Sequence, residues 1–222
     1  MISLRSIFKS YGSLPVLKGI SLDIQEKEII CITGESGAGK STLLHILGTL
    51  DKPDSGEVIY SNRNVFNFGA KELSSFRNKE IGFVFQFHQL IPELTALENI
   101  MLPMMIAGAS KKVCETRAME LLQYLGLESR KSHKSTELSG GEQQRIAIGR
   151  ALSANPKVIL ADEPSGNLDS KNARSVHDMF LKLREDFGYT FVIVTHNLEL
   201  PQIADRQIIL SDGQIMDEIK KY

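Results

Sequence analysis

Strand-like patterning opens the chain. Over residues 2–8 apolar and polar positions alternate, and residues 16–24 (VLKGISLDI) place an apolar residue at every second or third position. Residues 28–33 (EIICIT) instead form a short, continuous apolar run, the pattern of a strand buried on both faces. A glycine-rich turn follows, and STLLHILGTL then reads as a helix. Residues 56–61 and 81–85 (IGFVF) read as further strands. From about residue 96 to 154 the pattern turns helical, with Ala118, Leu121, Leu122 and Leu125 spaced as one stripe. Strand signals return at 158–161 (VILA), followed by a helical stripe of Val176, Met179, Phe180, Leu183 and Phe187. A buried-type strand (FVIVT) comes next, then RQIIL and QIMDEI on either side of Asp212-Gly213, a two-residue hairpin signal. Strands alternating with helices predict an α/β fold with a mainly parallel sheet, interrupted by an all-helical insertion.

Composition narrows this picture. At 222 residues the chain holds one core with an inserted subdomain as readily as two units. Hydrophobic residues make up 42% and charged residues 24%, enough apolar material for a sizeable core. Lys and Arg number 26 against 27 Asp and Glu, so the net charge of -1 lacks the footprint of a nucleic-acid binder. No apolar run approaches the ~18 residues that span a bilayer, and the N-terminus lacks the signal-peptide pattern. Cys31 and Cys114 show no metal or redox spacing, which fits a reducing compartment. A soluble, intracellular protein is expected, with any membrane role exerted through a partner.

Gly34 to Ser41 reads GESGAGKS, the phosphate-loop pattern G-x-x-x-x-G-K-[ST]. Glycines let the backbone curl until successive N–H groups point inward, and the following helix adds its positive dipole end. The expected nucleotide contacts are Gly34, Glu35, Ser36, Gly37, Ala38, Gly39, Lys40, Ser41 and Thr42. Lys40 is suited to the β- and γ-phosphates of ATP, and the Ser41 hydroxyl to Mg²⁺. Residues 158–164 (VILADEP) end a buried strand on two carboxylates, at the sheet edge where α/β folds bind ligands. Asp162 is expected to hold Mg²⁺ through water, and Glu163 to act as general base on the attacking water.

Residues 138–145 read LSGGEQQR. With this string the sequence resembles the ATPase subunit of ATP-binding cassette (ABC) transporters, over nearly the whole chain. Ser139, Gly140 and Gly141 open a helix and so present a second set of N–H groups to an anion. The resemblance implies that this second set grips the γ-phosphate of ATP held by another subunit, so that two copies close head-to-tail over two ATP molecules. It also implies an antiparallel β-subdomain at the N-terminus. Residues 1–85 and 157–222 would form the nucleotide-binding core, and residues 86–156 the helical subdomain. Gln86 resembles the glutamine that senses Mg²⁺ and the attacking water, and His196 in VTHN the switch histidine at the γ-phosphate. Residues 166–169 (GNLD), with Asp169, resemble the loop through which subunits communicate, and Tyr11 resembles the aromatic that stacks on adenine. With Glu163 and His196 both present, an active ATPase is expected.

The stretch FQFHQLIPELTALENIMLP (85–103) resembles the ATP-binding subunit of bacterial lipoprotein-releasing systems. The resemblance implies a peripheral protein on the cytoplasmic side of the inner membrane. Integral membrane subunits would dock near residues 86–107, where apolar and methionine side chains suit an adaptable groove. Leu94 is expected to be exposed on this surface. The same group includes macrolide-type exporters and a cell-division cassette that controls envelope hydrolases, and both remain open as alternatives. A DNA-maintenance ATPase would need long heptad tracts or two cassettes, and this sequence has one cassette and no sustained heptads.

Overall fold

The computed structural model describes residues 1–197 and 199–221; the chain end at 222, the limit of the expected core, lies outside them. Two sheets stack, and most of the helices cover the far side of the second. The first sheet contains β1 (Ile2–Tyr11), β2 (Leu14–Ile24), β4 (Ser55–Tyr60) and the short β5 (Arg63–Asn64), in the order β2-β1-β4-β5. All its pairings are antiparallel. The second contains β3 (Ile29–Thr33), β6 (Ile81–Phe85), β7 (Val158–Asp162), β8 (Thr190–Val194), β9 (Arg206–Ser211) and β10 (Gln214–Lys220), in the order β10-β9-β3-β8-β7-β6. Its strands run parallel except for the β9–β10 hairpin, which turns at Asp212-Gly213 with both residues at positive φ.

Side chains alternate along a strand, so a strand buried on both sides feeds two cores at once. Ile30, Ile32, Val158, Leu160, Val192 and Val194 face the antiparallel sheet and helix α1 (Lys40–Leu47). Ile29, Cys31, Ile159, Ala161, Phe191 and Ile193 face the other way. There they meet α3 (Ala96–Ile106), α4 (Lys111–Tyr124), α5 (Gly140–Leu152) and α6 (Ser170–Phe187). Burial of Cys31 pushes its thiol up to about 12, which leaves it an inert packing group. The last helix, α7 (Leu200–Ile203), is a single turn against β3. Among the described residues no helix is long and apolar enough to cross a membrane.

Sequence patterning misses α2 (Ala70–Glu80), which has no fully buried residue. Its half-buried Phe76 meets Tyr60 edge-on at 5.0 Å, and Arg77 bonds the Thr49 side chain and carbonyl. Leu94, expected to be exposed, is half-buried beside the cap of α3. Asn99, almost fully buried, donates to the Leu94 carbonyl and so ties down that turn. The apolar run 90–105 is therefore divided: Ile100, Met101 and Met104 are core, while Met105 is exposed.

Candidate functional site

The carboxyl ends of β3, β7 and β8 converge on one cleft of about 530 Å³. Its floor is the loop between β3 and α1. Gly34 has φ +151°, and a Cβ there would lie 2.0 Å from the Leu210 carbonyl oxygen on β9. Backbone cannot yield as a flexible side chain would. Gly34→Ala is expected to destabilise the fold by about 2 kcal/mol or more, read as a lower melting temperature together with lost ATP affinity. At the other end of the loop Gly39 is left-handed (φ 98°) and caps α1 without a side chain, so nothing shields the first N–H groups of the helix.

Of the expected loop residues, Gly34, Ser36, Gly37, Gly39, Lys40, Ser41 and Thr42 line the cleft. Glu35 and Ala38 serve the loop itself through their carbonyls, which accept from Lys40 Nζ and from the Gly213 N–H. Lys40 Nζ also donates to the Gly34 carbonyl at 2.9 Å. Its ammonium is thus folded over the loop, at the place where an anion would draw it away. Ser41 Oγ donates to Asp162 Oδ1 at 3.2 Å, across 121 positions of sequence. Burial raises the Asp162 pKa, and the Ser41 hydroxyl opposes that shift. A cation beside this pair would restore the charged form. A hydroxyl and a carboxylate are hard oxygen donors, which together with phosphate oxygens suit Mg²⁺.

Glu163 is held from three directions. Its Oε2 accepts from Thr195 Oγ1 at 2.9 Å, and its Oε1 accepts from the His196 N–H at 2.9 Å. His196 Nδ1 lies 2.7 Å from the same Oε1, so Nδ1 donates to the carboxylate and Nε2 is the ring nitrogen left for another partner. The carboxylate is largely covered (16% exposed) while the imidazole is open at 72%. Glu163 itself sits at φ 47°, an unfavourable backbone for a non-glycine residue at a strand end. Sequence reading passed over Thr195, although it lies inside the VTHN string.

Other expected residues lie outside this cleft. Ser139 caps α5 in a reciprocal box with Glu142, whose carboxyl is held down to about 2 by Arg130 first and by Ser139 next. The S-x-x-E spacing of that box is a local signal that sequence reading passed over. Gly140 and Gly141 follow on the exposed and covered sides of the helix start. His88, which looks unremarkable in sequence, bonds the Gly140 carbonyl at 2.9 Å and joins the segment after β6 to this helix. Asp169 caps α6, accepting from the Lys171 and Asn172 N–H groups. Gln86 bonds Asn167 rather than lining the cleft. Tyr11 is half-exposed, donates to Asp51 Oδ2 at 2.6 Å, and carries Lys9 Nζ 5.1 Å over its ring.

A nucleotide cradle on this two-sheet, helix-backed architecture defines an ATP-binding cassette, and the ABC transporter family pattern matches residues 17–166. The chain belongs to the ABC transporter family, as its ATP-hydrolysing cassette. In sequence it is 58% identical over 216 residues to the lipoprotein-releasing system ATP-binding protein LolD of Bacteroides fragilis, covering 97% of this chain and 100% of that one. It is 50% identical to LolD of Porphyromonas gingivalis, again over 98% and 100% of the two chains. In structure it resembles the bacterial ABC transporter cassette MJ0796 in its dimeric form, with TM-score 0.91, 43% identity and coverage of 99% and 98%. A post-hydrolysis dimer of the same cassette, bound to ADP and Pi, gives TM-score 0.90.

Proposed function

We propose that this chain is the ATPase subunit of a transporter that releases lipoproteins from the inner membrane, working as a dimer closed over two ATP molecules. The observation that carries the ATPase part is the meeting of Lys40, Ser41, Glu163 and His196 in one cleft, with Asp162 bonded to Ser41. Full-length identity of 58% to a lipoprotein-releasing ATP-binding protein supports the cargo.

In this reading the loop N–H groups and the start of α1 bind the β-phosphate, and Lys40 swings from its carbonyl partners onto the β- and γ-phosphates. Ser41 and Asp162 are the residues that would hold Mg²⁺. When bound, the ion supplies charge neutralisation to the phosphates. Glu163, oriented by Thr195 and His196, takes a proton from the attacking water. His196 Nε2, protonated against the γ-phosphate, donates to one of its oxygens while Nδ1–H stays on Glu163, and Gln86 completes the water and metal site. Tyr11 stacks on the base from its mooring on Asp51. Ser139, Gly140 and Gly141 act on the partner copy's nucleotide, which fits their place outside this chain's own cleft. Asp169, at the start of α6, belongs to the separate 166–169 loop, through which the two copies communicate.

Membrane subunits dock in a groove of about 430 Å³ between α2, β6, α3 and α5, lined by Phe83, Phe85, Leu102, Pro103 and Ile106. This deepens the expected 86–107 surface, because α2 supplies a wall through Ser74, Arg77 and Asn78. Through these subunits the cassette is held at the cytoplasmic side of the inner membrane. Ile106 is 69% exposed, so Ile106→Glu should leave the melting temperature within about a degree of the parent. A docked partner helix would strip water from the new charge, and the groove's Arg77 and Arg150 are already bonded to Thr49 and to the His88 and Gln89 carbonyls, so the cost is several kcal/mol. Copurification with the membrane subunits, and lipoprotein release by the reconstituted complex, should both be lost. Normal assembly would place the docking surface elsewhere. The cargo that copurifies separates this reading from the exporter and cell-division alternatives.

A further inference from the structure

Gln86 directly follows β6 and is not among the residues lining the cleft. Its Nε2 donates to Asn167 Oδ1 at 3.0 Å, and its backbone carbonyl accepts from Asn167 Nδ2 at 3.2 Å. One carboxamide therefore holds both ends of one residue across 81 positions of sequence. Flipping the Asn167 amide would set donor against donor and oxygen against oxygen, so its partners dictate its orientation. Gly166 makes the approach possible, since a Cβ there would lie 2.9 Å from Gln86 Nε2. The turn that carries Asn167 begins at Glu163, whose carbonyl accepts from the Gly166 N–H at 3.0 Å.

We propose that Asn167 is a latch on Gln86: its carboxamide keeps the Gln86 side chain on the 163–169 turn, out of the cleft, and thereby lowers the basal rate of ATP hydrolysis. The two bonds have different duties. Gln86 reaches the cleft only by giving up the Nε2–Oδ1 bond, because its amide cannot serve both places. The bond from Asn167 Nδ2 to the Gln86 carbonyl needs no such release and acts as the pivot. A partner that shifts the segment after β6, or a second copy that pushes on the 163–169 turn, would open the latch from either side. This inference rests on the role proposed above for Gln86 in the water and metal site.

The latch is tested on five full-length cassettes: the parent, Asn167→Ala, Asn167→Asp, Gln86→Ala and the double variant Asn167→Ala/Gln86→Ala. Each is assayed for kcat and KM with Mg-ATP, with thermal melting as the fold control. A neutral side-chain hydrogen bond biases an equilibrium by roughly two- to tenfold. Asn167→Ala should therefore raise basal kcat by about two- to tenfold with KM within about twofold. Asn167→Asp strengthens the acceptor for Gln86 Nε2 but sets its other oxygen against the Gln86 carbonyl, so the latch is kept, the pivot is lost, and kcat should stay within about twofold of the parent's. A role in shaping the turn alone would move both variants the same way. In the Gln86→Ala background the alanine effect should vanish, as coupled residues require. The latch is overturned if Asn167→Ala does not exceed the parent, if the Asp variant rises with it, or if the gain survives without Gln86. A Gln86→Ala cassette hydrolysing at the parent rate would instead sink the role of Gln86 on which the latch stands.

Discussion

Glu163→Gln is expected to bind ATP normally yet hydrolyse it at least ~100-fold more slowly, the loss that follows removal of a positioned general base. The substitution keeps the volume and most of the bonding. The amide oxygen can face the His196 N–H and the Nδ1–H, both of which now donate to Glu163 Oε1. The new NH₂ then faces Thr195 Oγ1, and a hydroxyl accepts as readily as it donates. Only the Thr195 hydroxyl hydrogen loses its acceptor, so the melting temperature should fall by no more than a few degrees. What disappears is the lone pair basic enough to take a proton. Binding without turnover should accumulate a dimer in the presence of ATP, visible as an ATP-dependent shift in size-exclusion chromatography. Hydrolysis near the parent rate would mean that another group is the base.

Ser139→Arg should abolish hydrolysis, by at least ~100-fold, while each copy still binds ATP. Ser139 is exposed at the start of α5 and is not among the residues lining its own chain's cleft. An arginine there adds bulk where the partner copy's γ-phosphate would sit. It also removes the cap bonds that Ser139 makes with Glu142, a loss of about 1 kcal/mol at a helix start. Ser139→Ala loses the same cap without the bulk and is the control. The alanine variant should retain much more activity than the arginine one, and ATP affinity should be equal in both. If the arginine variant fails to bind ATP, this helix start does not act across the dimer. If the two variants fail equally, the cap rather than the composite site explains the loss.

Much of the site was legible because its parts are contiguous. A phosphate loop works through consecutive backbone N–H groups, so GESGAGKS carries its own geometry, and the continuous apolar runs EIICIT, VILA and FVIVT announce a doubly buried sheet. The carboxylates of VILADEP stand at a strand end for the same local reason. Helix α2 was invisible because it buries no residue fully, and without a buried face there is no apolar period to read. Leu94 was misjudged because apolar spacing says that a face is covered, not by what. Here the amide of Asn99 draws in the loop carbonyls, including that of Leu94.

By itself the sequence determined the alternation of strands and helices, the anion cradle, the paired carboxylates and the helix start at Ser139, all of which depend on neighbours within a few residues. Only the tertiary structure decided which distant groups complete them: Thr195 and His196 on Glu163, Asp51 on Tyr11, Asn167 on Gln86, and α2 as a wall of the docking groove. These partners lie 32 to 81 positions apart. A side-chain hydrogen bond has no periodicity along the chain, and it forms only where packed sheets and helices bring its two ends within about 3 Å.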